Sequence, residues 1–171
     1  WVTTPASRKD VQRLRAGSCA IITGIGTQLM DDPSLTVKIT GEELGVYDPL
    51  IQPLRVVVDS QLQMQASARM LVQPGKTLIA TLGGDSQRQK AQALIDAGAD
   101  VVFLPANGHH IDLQALLVEL AARNCNRVMV EAGAGLAGAF IAEGLLDELV
   151  CYWAPKLFGS DARPMFDLAI N

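Results

Sequence analysis

No apolar run in this chain approaches the roughly 20 residues that span a bilayer. Its first residues also lack the charged, apolar and cleavable parts of a signal peptide. A soluble cytoplasmic protein is the expectation. There is no basic excess either: 14 Lys+Arg against 18 Asp+Glu give a formal net charge of -4, which argues against a surface built to neutralise a nucleic-acid backbone. Cysteine is scarce. Cys19, Cys125 and Cys151 each sit in or beside an apolar stretch, without CxxC spacing and without a histidine placed to complete a zinc site. Buried free thiols and no metal site are the reading. Internal repeats and low-complexity segments are missing too, so the 171 residues are taken as one domain, with 49% hydrophobic residues to build its core.

What is present is a repeated βα alternation. Thr4-Pro5 offers a capping hydroxyl and a proline at the first helical position, and Val11 and Leu14 continue a helix as far as Gly17. Cys19 to Thr23 has strand length and leads into Gly24, Gly26 and Asp31-Asp32-Pro33, which reads as a strand feeding an irregular loop. From Gly41 to Pro53 periodicity is lost, and this stretch is taken as a surface excursion. Leu54 to Val58, Thr77 to Thr81, Val101 to Leu104, Arg127 to Val130 and Leu149 to Trp153 read as further strands. Helices are expected over Gln87 to Ala97, from Asp112 to about Arg123, and over Leu136 to Glu143. Strands apolar on both faces, separated by helices, imply an α/β fold with a mainly parallel central sheet flanked by helices.

The sharpest local signal is Val128-Met129-Val130-Glu131-Ala132-Gly133-Ala134-Gly135-Leu136-Ala137-Gly138, a strand running through GxGxxG into a helix. Glycines let the backbone approach a ligand, and the first amides of the helix favour a phosphate or pyrophosphate. The other reading is that these small residues let the helix pack closely on the sheet. A Rossmann unit would place the turn after its first strand and a ribose-binding acid about 20 residues on. Here the turn comes late, and Asp147 and Glu148 precede a strand, so a dinucleotide loop in a different α/β fold is the expectation. Glu131 ends the strand, where parallel sheets bind ligands and a carboxylate can accept from a hydroxyl or amine. In Thr27-Gln28-Leu29-Met30-Asp31-Asp32-Pro33-Ser34-Leu35-Thr36-Val37-Lys38, one acid can hold the turn while the other faces a ligand; an ordinary turn explains the pair as well. His109-His110 reads as an exposed loop.

Taken in order along the chain, these residues resemble the reductase domain of the bifunctional riboflavin-biosynthesis deaminase/reductase, the RibD family, with a dihydrofolate-reductase-like fold. The resemblance rests on Trp1-Val2-Thr3-Thr4-Pro5 with Arg8, Asp10 and Arg15, and on Thr27 with Asp31 to Val37. It continues through Val58-Asp59-Ser60, the Val130 to Gly138 segment, and Ala154-Pro155-Lys156-Leu157-Phe158-Gly159-Ser160-Asp161-Ala162. By that resemblance Trp1, Thr27, Asp31, Ser60 and the loop Gly133, Ala134, Gly135, Leu136, Ala137, Gly138 and Ala139 would contact NADPH. Arg15, Leu35, Lys38 and Glu131 would contact a phosphorylated pyrimidine, with a lysine at position 38 where the family usually has arginine. The implied reaction is reduction of 5-amino-6-(5-phosphoribosylamino)uracil at its ribosyl group. Asp31 and Glu131 are the acids available, and no residue is singled out as proton donor.

The resemblance also implies a homo-oligomer, a longer multifunctional parent, and terminal strands beyond both ends of a single reductase domain over residues 1–171. The zinc signature of the deaminase, His-x-Glu followed by Pro-Cys-x-x-Cys, does not occur in the sequence. Two alternatives stand beside this reading: a reductase of the same fold acting on another pyrimidine or a pterin, and a catalytically silent dinucleotide-binding or oligomerisation module.

Overall fold

The computed structural model describes residues 2–45 and 49–168. Helix α1 (Pro5–Ala16) starts as its sequence dictates: Thr4 Oγ1 accepts the Ser7 amide at 3.2 Å, and proline takes the first turn. Strand β1 (Ala20–Gly24) then passes directly into helix α2 (Ile25–Asp31), where an irregular loop was expected. The correction has a physical reason. Gly24 supplies the extended N-cap, and Asp32 closes the helix in the left-handed region at φ 39°, so the residues read as breakers act as its two caps. Among its described residues the excursion after Gly41 holds one short helix, α3 (Gly41–Leu44), with a Thr40–Glu43 capping box.

Apart from a short hairpin where an exposed loop was expected, the remaining elements follow the expected alternation. They are β2 (Leu54–Val58), β3 (Thr77–Leu82), α4 (Asp85–Asp96), β4 (Asp100–Leu104), the short hairpin β5 (Ala106–Asn107) and β6 (His110–Ile111), α5 (Leu113–Ala122), β7 (Val128–Val130) and α6 (Ala134–Ala142). Five strands form one sheet in the order β4-β3-β2-β1-β7, with every pairing parallel, and β5 and β6 pair antiparallel beside it. Alternation along each strand divides the core into two layers. Ile21, Val57 and Ile79 pack with Leu94 and Met70 on one face, while Ile22, Val56 and Leu78 pack with Leu116, Leu120 and Phe140 on the other. This is the α/β architecture that the sequence implies, with both faces of a parallel sheet covered by helices and loops. Among the described residues no helix is long and apolar enough to cross a membrane.

Two expectations fail. Leu149 to Trp153 forms no strand, although its composition suits one. Strand status requires a ladder, and this stretch lies across an apolar groove of about 570 Å³ from β7, whose outer edge carries no strand among the described residues. The stretch is held elsewhere: Tyr152 Oη donates to Asp10 Oδ2 at 2.7 Å, and burial together with that carboxylate pushes the phenol up to about 12. The cysteines are not buried either. Cys19 and Cys151 are exposed and Cys125 is half-buried, because they lie at the amino edge of the sheet and in the unpaired stretch.

Arg55, at the amino end of β2, is buried to 1% exposure without a carboxylate partner among the described residues. It donates to four carbonyls, most closely to Gly75 O at 2.7 Å and less closely to Gln73, Lys76 and Ser34. Burial pulls its pKa below the ordinary value, and the carbonyl ring is what supports the charge there. Replacing Arg55 with Met keeps most of the volume but leaves those carbonyls without a donor. Arg55→Met is expected to lose about 2 to 3 kcal/mol of stability in urea unfolding; an unchanged midpoint would show that water satisfies the carbonyls equally well.

Candidate functional site

A cavity of about 1250 Å³ opens at the carboxyl ends of the parallel strands, where open α/β sheets bind their ligands. Its floor is formed by residues at and just after the ends of β7, β1 and β2: Glu131 and Ala132, Gly24 to Thr27, and Val58 with Ser60. Ile111 of the hairpin, which packs with Leu78 and Ala80 of β3, continues it on the far side. At about 4.8 Å per strand, β7 to β3 is roughly 14 Å, so the cavity is elongated along the edge of the sheet.

One wall is the turn into α6. Gly133 is the N-cap, and no side chain caps this helix. The first amides of α6 therefore lack partners within the helix, and Ala134, Gly135 and Leu136 bring them to the cavity. A Cβ added to Gly135 would meet nothing within 4 Å, and one on Gly133 would come no closer than 3.6 Å to Thr27 Oγ1. The turn is an open cradle beside the end of β1.

Glu131 is half-buried, and both its oxygens are held by Arg15, from Nε at 2.8 Å and from Nη2 at 2.5 Å. Arg15 Nη1 also donates to Thr36 O at 3.0 Å. The Nε–Nη2 edge of the guanidinium is thus engaged by Glu131 and one Nη1 donor by Thr36, and only the outer N–H groups remain for a ligand. The segment after Pro33 is tied down residue by residue. Gln52 brackets Val37 through its N–H at 2.8 Å and its carbonyl at 3.1 Å, and the Lys38 amide donates to Gln12 Oε1 at 2.7 Å. Just before these ties Leu35 sits at φ 47°, buried in the core yet lining the cavity, a strained position that its neighbours hold in place.

The other wall depends on Asp59. Fully buried, its Oδ2 accepts the Met64 amide at 2.8 Å and closes a turn that presents Ser60, Gln61 and Gln63 to the cavity. Asp31 and Asp32 divide their labour. Asp31 lines the cavity from the last turn of α2, while Asp32 Oδ1 accepts the Arg69 amide at 2.9 Å and holds the neighbouring loop.

Most of the expected site residues meet at this one place. Thr27, Asp31, Leu35, Ser60, Glu131, Gly133, Ala134, Gly135, Leu136 and Ala139 line the cavity, and Arg15 reaches it through Glu131. Lys38 is exposed and lies outside the lining. Ala137 faces the groove beside β7, and Gly138 is buried against the backbone of Asp167. Close packing is therefore the role the structure gives Gly138, as the second reading of the glycine motif had it. Trp1 lies outside the described residues. The sequence reading missed Gln61, Gln63, Asn107, His109 and His110, all on the lining; the adjacent histidines were the one signal in the sequence, and they do lie exposed as expected.

The family described as RibD C-terminal domain matches residues 1–170. A relative named riboflavin biosynthesis protein RibD from Escherichia coli is 40% identical over 173 residues, covering 98% of this chain and 46% of its own. The chain thus spans about half the length of that relative. A second relative, from Buchnera aphidicola, is named 5-amino-6-(5-phosphoribosylamino)uracil reductase; it is 30% identical and covers 96% of this chain and 79% of its own. Among solved structures, Acinetobacter baumannii RibD superposes with a TM-score of 0.82 at 33% identity, over all of this chain and 44% of that one.

The two glycines of the turn make opposite predictions. A Cβ on Gly138 would collide with the Asp167 carbonyl oxygen, so something in the backbone must move, whereas one on Gly135 meets open space. Gly138→Val is expected to lower the thermal midpoint by roughly 5 °C or more. Gly135→Val should leave it within about 2 °C of the parent, since the residue is helical and exposed. Equal losses in differential scanning calorimetry would mean that both glycines serve packing alone.

Proposed function

The chain belongs to the RibD C-terminal domain family, and from that premise we propose that it reduces the ribosyl group of 5-amino-6-(5-phosphoribosylamino)uracil with hydride from NADPH. The observation that carries this reading is one elongated cavity in which the uncapped start of α6 stands beside the Glu131–Arg15 pair. The relative from Buchnera aphidicola, which this chain covers over 79% of its length, bears the name of that reductase.

NADPH, bound here, would supply the hydride, and the work of the protein is to orient, anchor and exclude water. The free amides at the start of α6 suit a pyrophosphate, and the open cradle at Gly133 and Gly135 lets it come close. Thr27, Asp31 and Ser60 offer a hydroxyl, a carboxylate and a second hydroxyl along the same floor for the sugars and the amide of the dinucleotide. Leu35 gives an apolar surface against the reacting ring. Glu131 accepts from a ribose hydroxyl or ring amine of the substrate, and its orientation is fixed by Arg15. The outer N–H groups of Arg15, with the charge of Lys38 two residues beyond the Thr36 carbonyl that Arg15 holds, form the phosphate-attracting end. In the same reading Trp1 and Ala139 complete the cofactor site, and a homo-oligomer covers the exposed apolar residues Trp153, Leu157 and Phe158.

The test is NADPH absorbance with the phosphoribosylamino-pyrimidine present and absent. Substrate-dependent oxidation is expected; oxidation driven by an unphosphorylated pterin instead would move the chain to the rival reductase. Arg15→Ala is expected to raise the Michaelis constant for the substrate roughly tenfold or more, with turnover and NADPH affinity less affected. Arg15→Lys should recover part of the loss, because an ammonium restores charge without the planar fork. A parental Michaelis constant in Arg15→Ala would take Arg15 out of the substrate site and leave it a support for Glu131.

A further inference from the structure

The charges around the cavity are segregated. Its carboxylates, Asp31, Glu131, Glu143 and Asp167, all belong to α2, the end of β7, α6 and the segment against α6. Among the described residues none of them belongs to the hairpin or to the Asp59 turn at the end over β3. There the cavity is lined by His109, His110 and Asn107 of the hairpin and by Gln61 and Gln63 of the Asp59 turn, every one able to donate a hydrogen bond. Among the described residues the one Lys or Arg on the lining, Arg163, stands on the α2 side, with Nη1 3.1 Å from Met30 Sδ.

The hairpin is anchored for this. Ile111 is 2% exposed and packs with Leu78 and Ala80, Asn107 pairs with His110, and Gly108 at φ 63° makes the turn that leaves both imidazoles in the open. The turn into α6 lies beside β1, so the hairpin over β3 is two strands away, roughly 10 Å, about one nucleoside beyond a pyrophosphate held on α6. We infer that the His109–His110 turn, with Gln61 and Gln63, receives the phosphate on the adenosine ribose of the cofactor and so selects NADPH over NADH. This assignment rests on the cofactor reading above.

Calorimetric titration of NADPH and of NADH into the parent chain, a His109→Ala/His110→Ala variant and Arg163→Ala tests it. The double variant is expected to bind NADPH roughly tenfold more weakly, to bind NADH as the parent does, and to melt at the same temperature. His109→Gln/His110→Gln, which keeps donors in place, should recover part of the loss. Unchanged NADPH affinity in the double variant, an equal loss for both cofactors, or a preference abolished by Arg163→Ala alone would overturn the assignment while leaving the cofactor reading standing. Binding of neither cofactor by the parent chain would sink both.

Discussion

The site depends first on the ion pair between Arg15 and Glu131, which joins residues 116 apart in the chain. Among the described residues β7 is a three-residue strand with one partner, β1, and its outer edge faces a groove. A strand so short has little ladder of its own to fix the residues beyond it. Arg15 adds a second attachment from α1 by gripping the residue immediately after the strand. The grip constrains the start of the glycine turn and, through Thr36, the loop on the opposite side of the cavity. At 12% exposure the guanidinium is too buried to be idle without a partner, so pair and loop are set together.

Arg55 does for the floor what Arg15 does for the rim. Neither meets a surface carboxylate in the ordinary way: Arg15 spends three donors on Glu131 and a carbonyl, and Arg55 is surrounded by carbonyls alone. Both reach into the stretch from Ser34 to Thr36, where Leu35 holds its left-handed backbone. A strained residue persists only when its surroundings over-determine it. Here two arginines and Gln52 do so, and the result is an apolar side chain presented to the cavity from a rigid loop.

Much of this was legible in the sequence, for reasons that differ by element. Buried parallel strands are continuous apolar runs, so β1, β2, β3 and β4 could be found to within a residue or two, and Thr4-Pro5 and Asp112 marked their helices by capping chemistry. Helix α2 was missed because Gly24 and Gly26 resemble a break, whereas a glycine at the N-cap and an aspartate in the left-handed region end a seven-residue helix without any periodic signal. Leu149 to Trp153 has strand composition, but composition does not say whether a neighbour is there to pair with. Glu131 and the glycine turn could be picked out because strand ends and helix starts have sequence signatures, whereas Asp31 was singled out through the family resemblance. That His109 and His110 share their cavity could not, since nothing in a two-residue run tells over which strand a hairpin folds.

The electrostatics of the cavity decide what kind of contact must hold an anion. Among the described residues, four of its lining side chains are carboxylates against one arginine and two histidines, and the whole chain carries a formal charge of -4. A dinucleotide bearing several phosphates would be repelled by such a lining if side-chain charge were its only means of recognition. The first amides of α6 escape this conflict, because they are fixed dipoles that need no counter-charge and cannot be satisfied within the helix. The carboxylates then cost less than their number suggests: Glu131 is already neutralised by Arg15, and among the described residues neither the hairpin nor the Asp59 turn adds an acid to the lining. The arrangement separates tasks along the edge of the sheet, with paired charge next to the short strand, backbone amides in the middle, and donor side chains at the hairpin.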